Sequence, residues 1–158
     1  MAANKSTVSK PVAKKAAARA APPPKKPLSH PVKQIAARDA PIVERLRKIC
    51  LAFPEAGERL SHGEPTWFVR DKKTFVMFAD HHHDDRLAFW CAAPEGAQES
   101  LVAAYPQRFF RPPYVGVRGW LGVYLDVPLD WDEVAVIVED AYRVIAPKKL
   151  VAQLDLAR

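Results

Sequence analysis

A break in composition near residue 38 confines any packed core to the last three quarters of the 158-residue chain. Before the break there is no acidic residue, no glycine and no phenylalanine, tyrosine or tryptophan. Six prolines interrupt a run of Lys, Ala and Ser, and the first aromatic ring is Phe53. Such a stretch has too little apolar area to offset the entropy lost on ordering, so residues 1–38 read as a disordered basic tail. Within it Ala13–Ala21 has the propensity for one or two helical turns on a polyanion, and Pro22-Pro23-Pro24 would end them in an extended stretch.

The break also divides the charge. The whole chain carries a formal +6. Lys5, Lys10, Lys14, Lys15, Arg19, Lys25, Lys26, Lys33 and Arg38 lie in the tail, whereas residues 39–158 hold 15 basic and 18 acidic side chains, a net of −3. The tail therefore makes the protein basic. Nine cations on a flexible arm without carboxylates suit counterion release along phosphates. The alternative is a solubilising spacer with no partner.

Cys50 and Cys91 each sit in an apolar run without C-x-x-C spacing, which suits buried thiols in a reducing compartment. No apolar run approaches a membrane span and no hydrophobic signal core opens the chain, so a cytoplasmic protein is expected.

Hydrophobic periodicity over residues 39–158 predicts one domain. Ile42, Val43, Leu46, Ile49, Cys50 and Phe53 share a helical face from about Ala40, with Asp39 as cap and Pro41 in the first turn. The period then changes to two. Thr66–Val69, Thr74–Ala79 and Leu87–Cys91 read as strands, with a short strand before them near Glu58–Ser61. A helix opened by Pro94 would turn Leu101, Val102 and Tyr105 inward. A poorly defined strand near Arg111–Val117 and a clearer one over Gly119–Leu125 follow. The last helix starts at Asp130 with a capping box to Glu133 and buries Val134, Ile137, Val138, Ala141 and Ile145. A short basic segment, Lys148–Leu154, trails it. This order predicts an α+β fold with helices on one face of an antiparallel sheet.

Three clusters invite chemistry. His81-His82-His83-Asp84-Asp85 holds metal-ligand types, but consecutive residues at a hairpin tip diverge and no partner with ligand spacing exists elsewhere, so no metal is expected. His62 and Glu64 are two apart, an acid–base spacing, yet no nucleophile motif accompanies them and a turn before Thr66 explains them. No phosphate-binding glycine loop or dinucleotide fingerprint occurs, so neither catalytic residues nor a cofactor are expected. The third cluster runs from Arg108 to Trp120. There Phe109, Phe110, Tyr114 and Trp120 alternate with Arg108, Arg111 and Arg118 without an acid, a mixture suited to bases and phosphates. Phe109, Tyr114 and Trp120 are otherwise expected in the core.

His62-Gly63-Glu64-Pro65 before an aromatic strand, Tyr114-Val115-Gly116-Val117-Arg118-Gly119-Trp120, Ala141-Tyr142-Arg143 and Arg47-Lys48-Ile49-Cys50 resemble the MmcQ/YjbR family. The likeness spans about Pro41 to Leu150. It implies a two-layer α-β(3)-α-β(2)-α sandwich, in agreement with the order above, and a DNA-binding role through a double wing of hairpins. Carried onto this chain, the wings are the turn Asp71-Lys72-Lys73 and the hairpin bearing Arg118-Gly119. No catalytic residues come with the resemblance.

The expected function is non-enzymatic nucleic-acid binding, to DNA and with weak sequence preference. The eight tail cations other than Arg38 would supply most of the affinity, and Lys72, Lys73, Arg111 and Arg118 a second contact. Two rivals are a protein-interaction module, since secretion chaperones share the sandwich architecture, and a small-molecule or enzyme site at His62 and the His81–His83 turn.

Overall fold

Two strands buried along their whole length, Glu64–Val69 and Leu87–Cys91, and the apolar stripes of the helices packed on the sheet decide the architecture. The computed structural model describes residues 33–82 and 84–158. In chain order these form α1 (Ala40–Leu51), β1 (Ala56–Ser61), β2 (Glu64–Val69), β3 (Lys73–Asp80), β4 (Leu87–Cys91), α2 (Ala97–Ala104), β5 (Phe109–Phe110), β6 (Leu121–Tyr124), α3 (Trp131–Ile145) and α4 (Lys148–Leu156). The strands make one antiparallel sheet in the order β1-β2-β3-β4-β6-β5.

The expected α+β fold is present, with two elements larger than their signals. The strand before Thr66 is a full six-residue β1, which pairs with β2 from Ala56↔Val69 to Ser61↔Glu64. The basic segment after Pro147 is a nine-residue helix, with Leu150 buried. Three local expectations fail. Asp39 occupies the cap of α1 but in helical conformation, so its side chain bonds no amide. Tyr105 lies beyond the end of α2 and is exposed, since helical periodicity no longer governs it. Residues 111–117 are no strand: β5 ends at Phe110, and the link to β6 contains one 3₁₀ turn, Val115–Arg118.

The core lies between the sheet and α1 and α3. Trp67, Val76, Phe78, Phe89, Cys91, Leu121 and Val123 project to the helices and are buried. Each such side chain contributes roughly 1.5–3 kcal/mol on burial. From α3 come Val134, Val138, Ala141 and Tyr142; Ile137 is only partly covered. Tyr142 is fully buried, stacks on Phe53 at 4.8 Å, meets Phe75 edge-on at 5.6 Å, and donates its hydroxyl to the Pro54 carbonyl at 2.7 Å. Asp130 caps α3 as its sequence predicts, accepting from the amides of Asp132 and Glu133. Both cysteines are buried, and burial pushes their thiols up, which keeps them protonated and unreactive.

Among the described residues no helix is long and apolar enough to cross a membrane.

Tyr142→Ala should destabilise the protein by about 3–5 kcal/mol, Tyr142→Phe by about 0.5–1.5 kcal/mol, and Asp130→Ala by about 1 kcal/mol, all measured by urea unfolding. A second outcome concerns pH. Arg86 donates to both carboxylate oxygens of Asp126, at 2.8 and 2.7 Å, and holds that carboxyl below its ordinary value of 3.8. A depressed carboxylate stabilises the fold above its unfolded pKa, and this is lost as pH falls through the lower folded value. The stability gap between wild type and Asp126→Asn should therefore be present at neutral pH and close in strong acid.

Candidate nucleic-acid interface

The two turns that the resemblance marks as wings occupy the same end of the sheet. Val69 pairs with Lys73 there, and Cys91 with Leu121. Strand order separates them by three strand spacings, about 14 Å. The β2–β3 turn is tight: the Lys72 amide donates to the Val69 carbonyl at 3.1 Å, and Arg70 and Asp71 both have positive φ. Neither is glycine, so the turn holds a conformation that side chains disfavour.

That turn faces the α3–α4 junction across a cleft of about 420 Å³. Its floor is Val69, Ile145, Ala146 and Pro147, and its walls carry Arg70, Lys72, Lys73 and Lys148. Glu55 neutralises Arg70 through an ion pair at 2.6 Å. Among the described residues Lys72, Lys73, Lys148 and the neighbouring Lys149 form no ion pair, whereas Arg47, Arg86, Arg108, Arg143 and Arg158 each do. Carboxylates of the domain are thus engaged by arginines elsewhere, and the cleft is locally basic although the domain's net charge is −3. Lys148 and Lys149 open α4, whose first turn has no acid and whose cap residue, Pro147, offers no side-chain acceptor. Cations oppose the dipole at a helix N-terminus, where backbone amides favour an anion instead. The arrangement suits phosphate oxygens at the mouth of the cleft.

The second wing is not the expected hairpin tip. Arg118 ends the 3₁₀ turn, its guanidinium 5.6 Å from the Trp120 ring, and Arg111 lies over Gly116. Both arginines are exposed and neither forms an ion pair among the described residues. Phe109 and Trp120 are buried as expected, but Tyr114 is 79% exposed, a correction to its core assignment.

Lys5, Lys10, Lys14, Lys15, Arg19, Lys25 and Lys26 lie outside the described residues. Lys33 does not behave as part of a free arm. Its ammonium donates to the buried Glu64 carboxylate at 3.2 Å and to the Asp80 carbonyl at 2.9 Å, and Ile35 packs on the core. The folded part thus reaches back to Lys33, ahead of the expected boundary at residue 39. Glu64 also accepts the Asp80 amide at 2.8 Å and lies 3.4 Å from His82 Nδ1. His62 and Gly63, both at positive φ, form the two-residue turn between β1 and β2. His62, Glu64 and His82 line a space of only about 20 Å³, room for one water and no substrate. His81 pairs with Asp80, and His83 is not among the described residues. Among the described residues no three His, Cys, Asp or Glu side chains converge as a metal shell requires.

Sequence reasoning missed Lys148 and Lys149 as site residues. The signal was there, two lysines directly after Pro147, but their partners on β2 and β3 are about 75 residues away in the chain.

A family model described as YjbR matches residues 51–144. The crystal structure of Deinococcus radiodurans protein DR2400, which carries the DUF419 family-model domain, superposes with a TM-score of 0.57. That match covers 72% of this chain and 87% of that one at 16% identity, a likeness of fold. No curated protein matches the sequence.

Replacing Lys148 and Lys149 with Glu should stabilise the protein by about 0.3–1 kcal/mol each at low salt, because carboxylates suit a helix N-terminus. Tripolyphosphate should raise the melting temperature of the wild type, and the same change should abolish that rise. Differential scanning fluorimetry with and without the anion reads both effects.

Proposed function

The chain belongs to the YjbR family, and from that premise we propose that it is a non-enzymatic, cytoplasmic nucleic-acid-binding protein acting on DNA with little sequence preference. The observation that carries this reading is the basic cleft: Lys72, Lys73 and Lys148, with Lys149 next in the chain, gathered from two distant parts of the sequence and in no ion pair among the described residues. Lysines bound to nothing repel one another, and a polyanion relieves that repulsion. The tail adds seven cations before Lys33, on an arm without acids. Phosphate contacts of this kind position a duplex but do not read bases, and among the described residues no Asn or Gln lines the cleft. Arg111 and Arg118, about 14 Å away along the same end of the sheet, give a second contact.

The test is the salt dependence of binding to labelled DNA by fluorescence anisotropy. For the full chain log K should fall with log salt at a slope of roughly −4 to −7. Removing residues 1–32, which leaves the Lys33–Glu64 contact intact, should flatten the slope to about −1 to −3 and weaken binding tenfold or more at moderate salt. Alanine at Lys72, Lys73, Lys148 and Lys149 should then weaken the residual binding further, leaving only the Arg111 and Arg118 contact. A slope unchanged by tail removal would make the domain the main binder. No binding by either form at low salt would overturn the reading in favour of a protein-interaction module.

A further inference from the structure

The link between β5 and β6 is built to display one aromatic ring. Pro112 and Pro113 stiffen its entry. The Val115 amide then donates to the Pro113 carbonyl at 2.7 Å, closing a γ-turn around Tyr114 at φ 61°, ψ −63°. This is the rare, strained hand of the γ-turn. The surroundings hold it there. The Gly116 amide donates to the Pro112 carbonyl at 3.0 Å, and the buried side chain of Gln98 reaches from α2 to donate to the carbonyls of Gly116, at 2.9 Å, and Trp120. Gly116 is needed for the fit, since a Cβ there would come within 2.7 Å of Arg111 Cγ. The rigid link leaves Tyr114 79% and Val117 77% exposed, and carries the exposed Arg111 and Arg118 as well.

A loop bolted down by a buried glutamine, yet holding a strained tyrosine out into solvent, is arranged to present that ring rather than to bury it. We propose that Tyr114 is a stacking finger for an unstacked base of single-stranded nucleic acid, with Arg111 and Arg118 holding the flanking phosphates. This rests on the nucleic-acid reading above and deepens it, by naming single-stranded or unpaired DNA as the ligand of this end of the sheet. An aromatic face beside guanidinium groups matches a base beside its phosphates, and the stack is indifferent to base identity. Preorganisation makes the contact effective, because the backbone that carries the ring is already held by the Gln98 contacts. Glu95 and Glu99 line the groove on the α2 side of Arg111, so the strand passes on the other side, away from those carboxylates.

The test uses the full chain with a labelled oligo-dT strand and a labelled duplex of equal length. Tyr114→Ala should weaken single-strand binding about tenfold and leave duplex affinity, set by the lysine cleft and tail, unchanged within error. Tyr114→Phe keeps the ring and should bind as wild type. Tyr114→Gly relieves the positive φ and should melt higher while losing the same single-strand affinity. Unchanged single-strand affinity in both ring-less variants overturns the proposal while leaving the nucleic-acid reading intact. Absence of binding by the wild type to either DNA overturns both. A self-association seen in sedimentation that Tyr114→Ala abolishes, with DNA affinity unchanged, would reassign the ring to a protein contact and overturn the proposal.

Discussion

The position of Tyr142 governs much of the rest. Its ring lies between Phe53, in the turn after α1, and Phe75 on β3, and its hydroxyl ties α3 to the carbonyl of Pro54. Three separate pieces of chain are thereby held by one side chain. Aromatic contacts of this geometry add to area burial, and a satisfied hydroxyl removes the penalty for burying a polar group. Because α3 is held there, its C-terminus ends opposite the β2–β3 turn, and Ile145, Ala146 and Pro147 become the floor of the basic cleft. The same short segment supplies Glu55, which pairs with Arg70 and takes the one arginine of the cleft out of play. Core and site are thus consequences of one packing choice.

Charge in this domain is organised by partner choice more than by total. The arginines largely carry the ion pairs. Arg47 bridges Glu44 and Glu58, Arg86 clasps Asp126, Arg143 spans Glu139 and Asp155, and Arg108 holds Glu133. Glu58 also accepts the Trp67 indole N–H at 3.1 Å, so one carboxylate joins α1, β1 and β2. A guanidinium is suited to such bidentate, fixed contacts, whereas an ammonium on a flexible stem serves as a mobile point charge. The lysines of the cleft keep that freedom. A sum of charges averages over both populations, and it conceals a basic surface on a domain whose formal charge is negative.

Departures from local rules sit in the turns at both ends of the sheet. Arg70 and Asp71 take positive φ in the β2–β3 turn, Tyr114 does so in the β5–β6 link, and two lysines open α4 against its dipole. At the opposite end His62 and His81 also take positive φ. Each is individually unfavourable and is held by the elements around it. The regular elements obey their rules: Asp130 caps α3, and Gly119 takes the left-handed position after the 3₁₀ turn. The β1–β2 turn pairs His62 with a glycine, and Glu64 is satisfied by Lys33, the Asp80 amide and His82.

Sequence alone determined the fold class, the strands from Thr66 to Cys91, the helix beginning at Asp130 and the unequal division of charge, because each is encoded in periodicity or composition within a short window. It located the β2–β3 turn and its two lysines for the same reason. It misplaced Tyr114 in the core, since alternation of aromatic residues reads as a strand. Only the Gln98 contacts, from a helix earlier in the chain, reveal that the segment is a rigid link with its ring outward. It took Lys33 for a member of the free arm because the carboxylate that binds it is 31 residues on. It passed over Lys148 and Lys149 as a trailing segment, for a cleft exists only when α3 sets them against β2 and β3. Local signals specify elements. A site made from residues far apart in the chain depends on which elements meet, and packing of the core decides that.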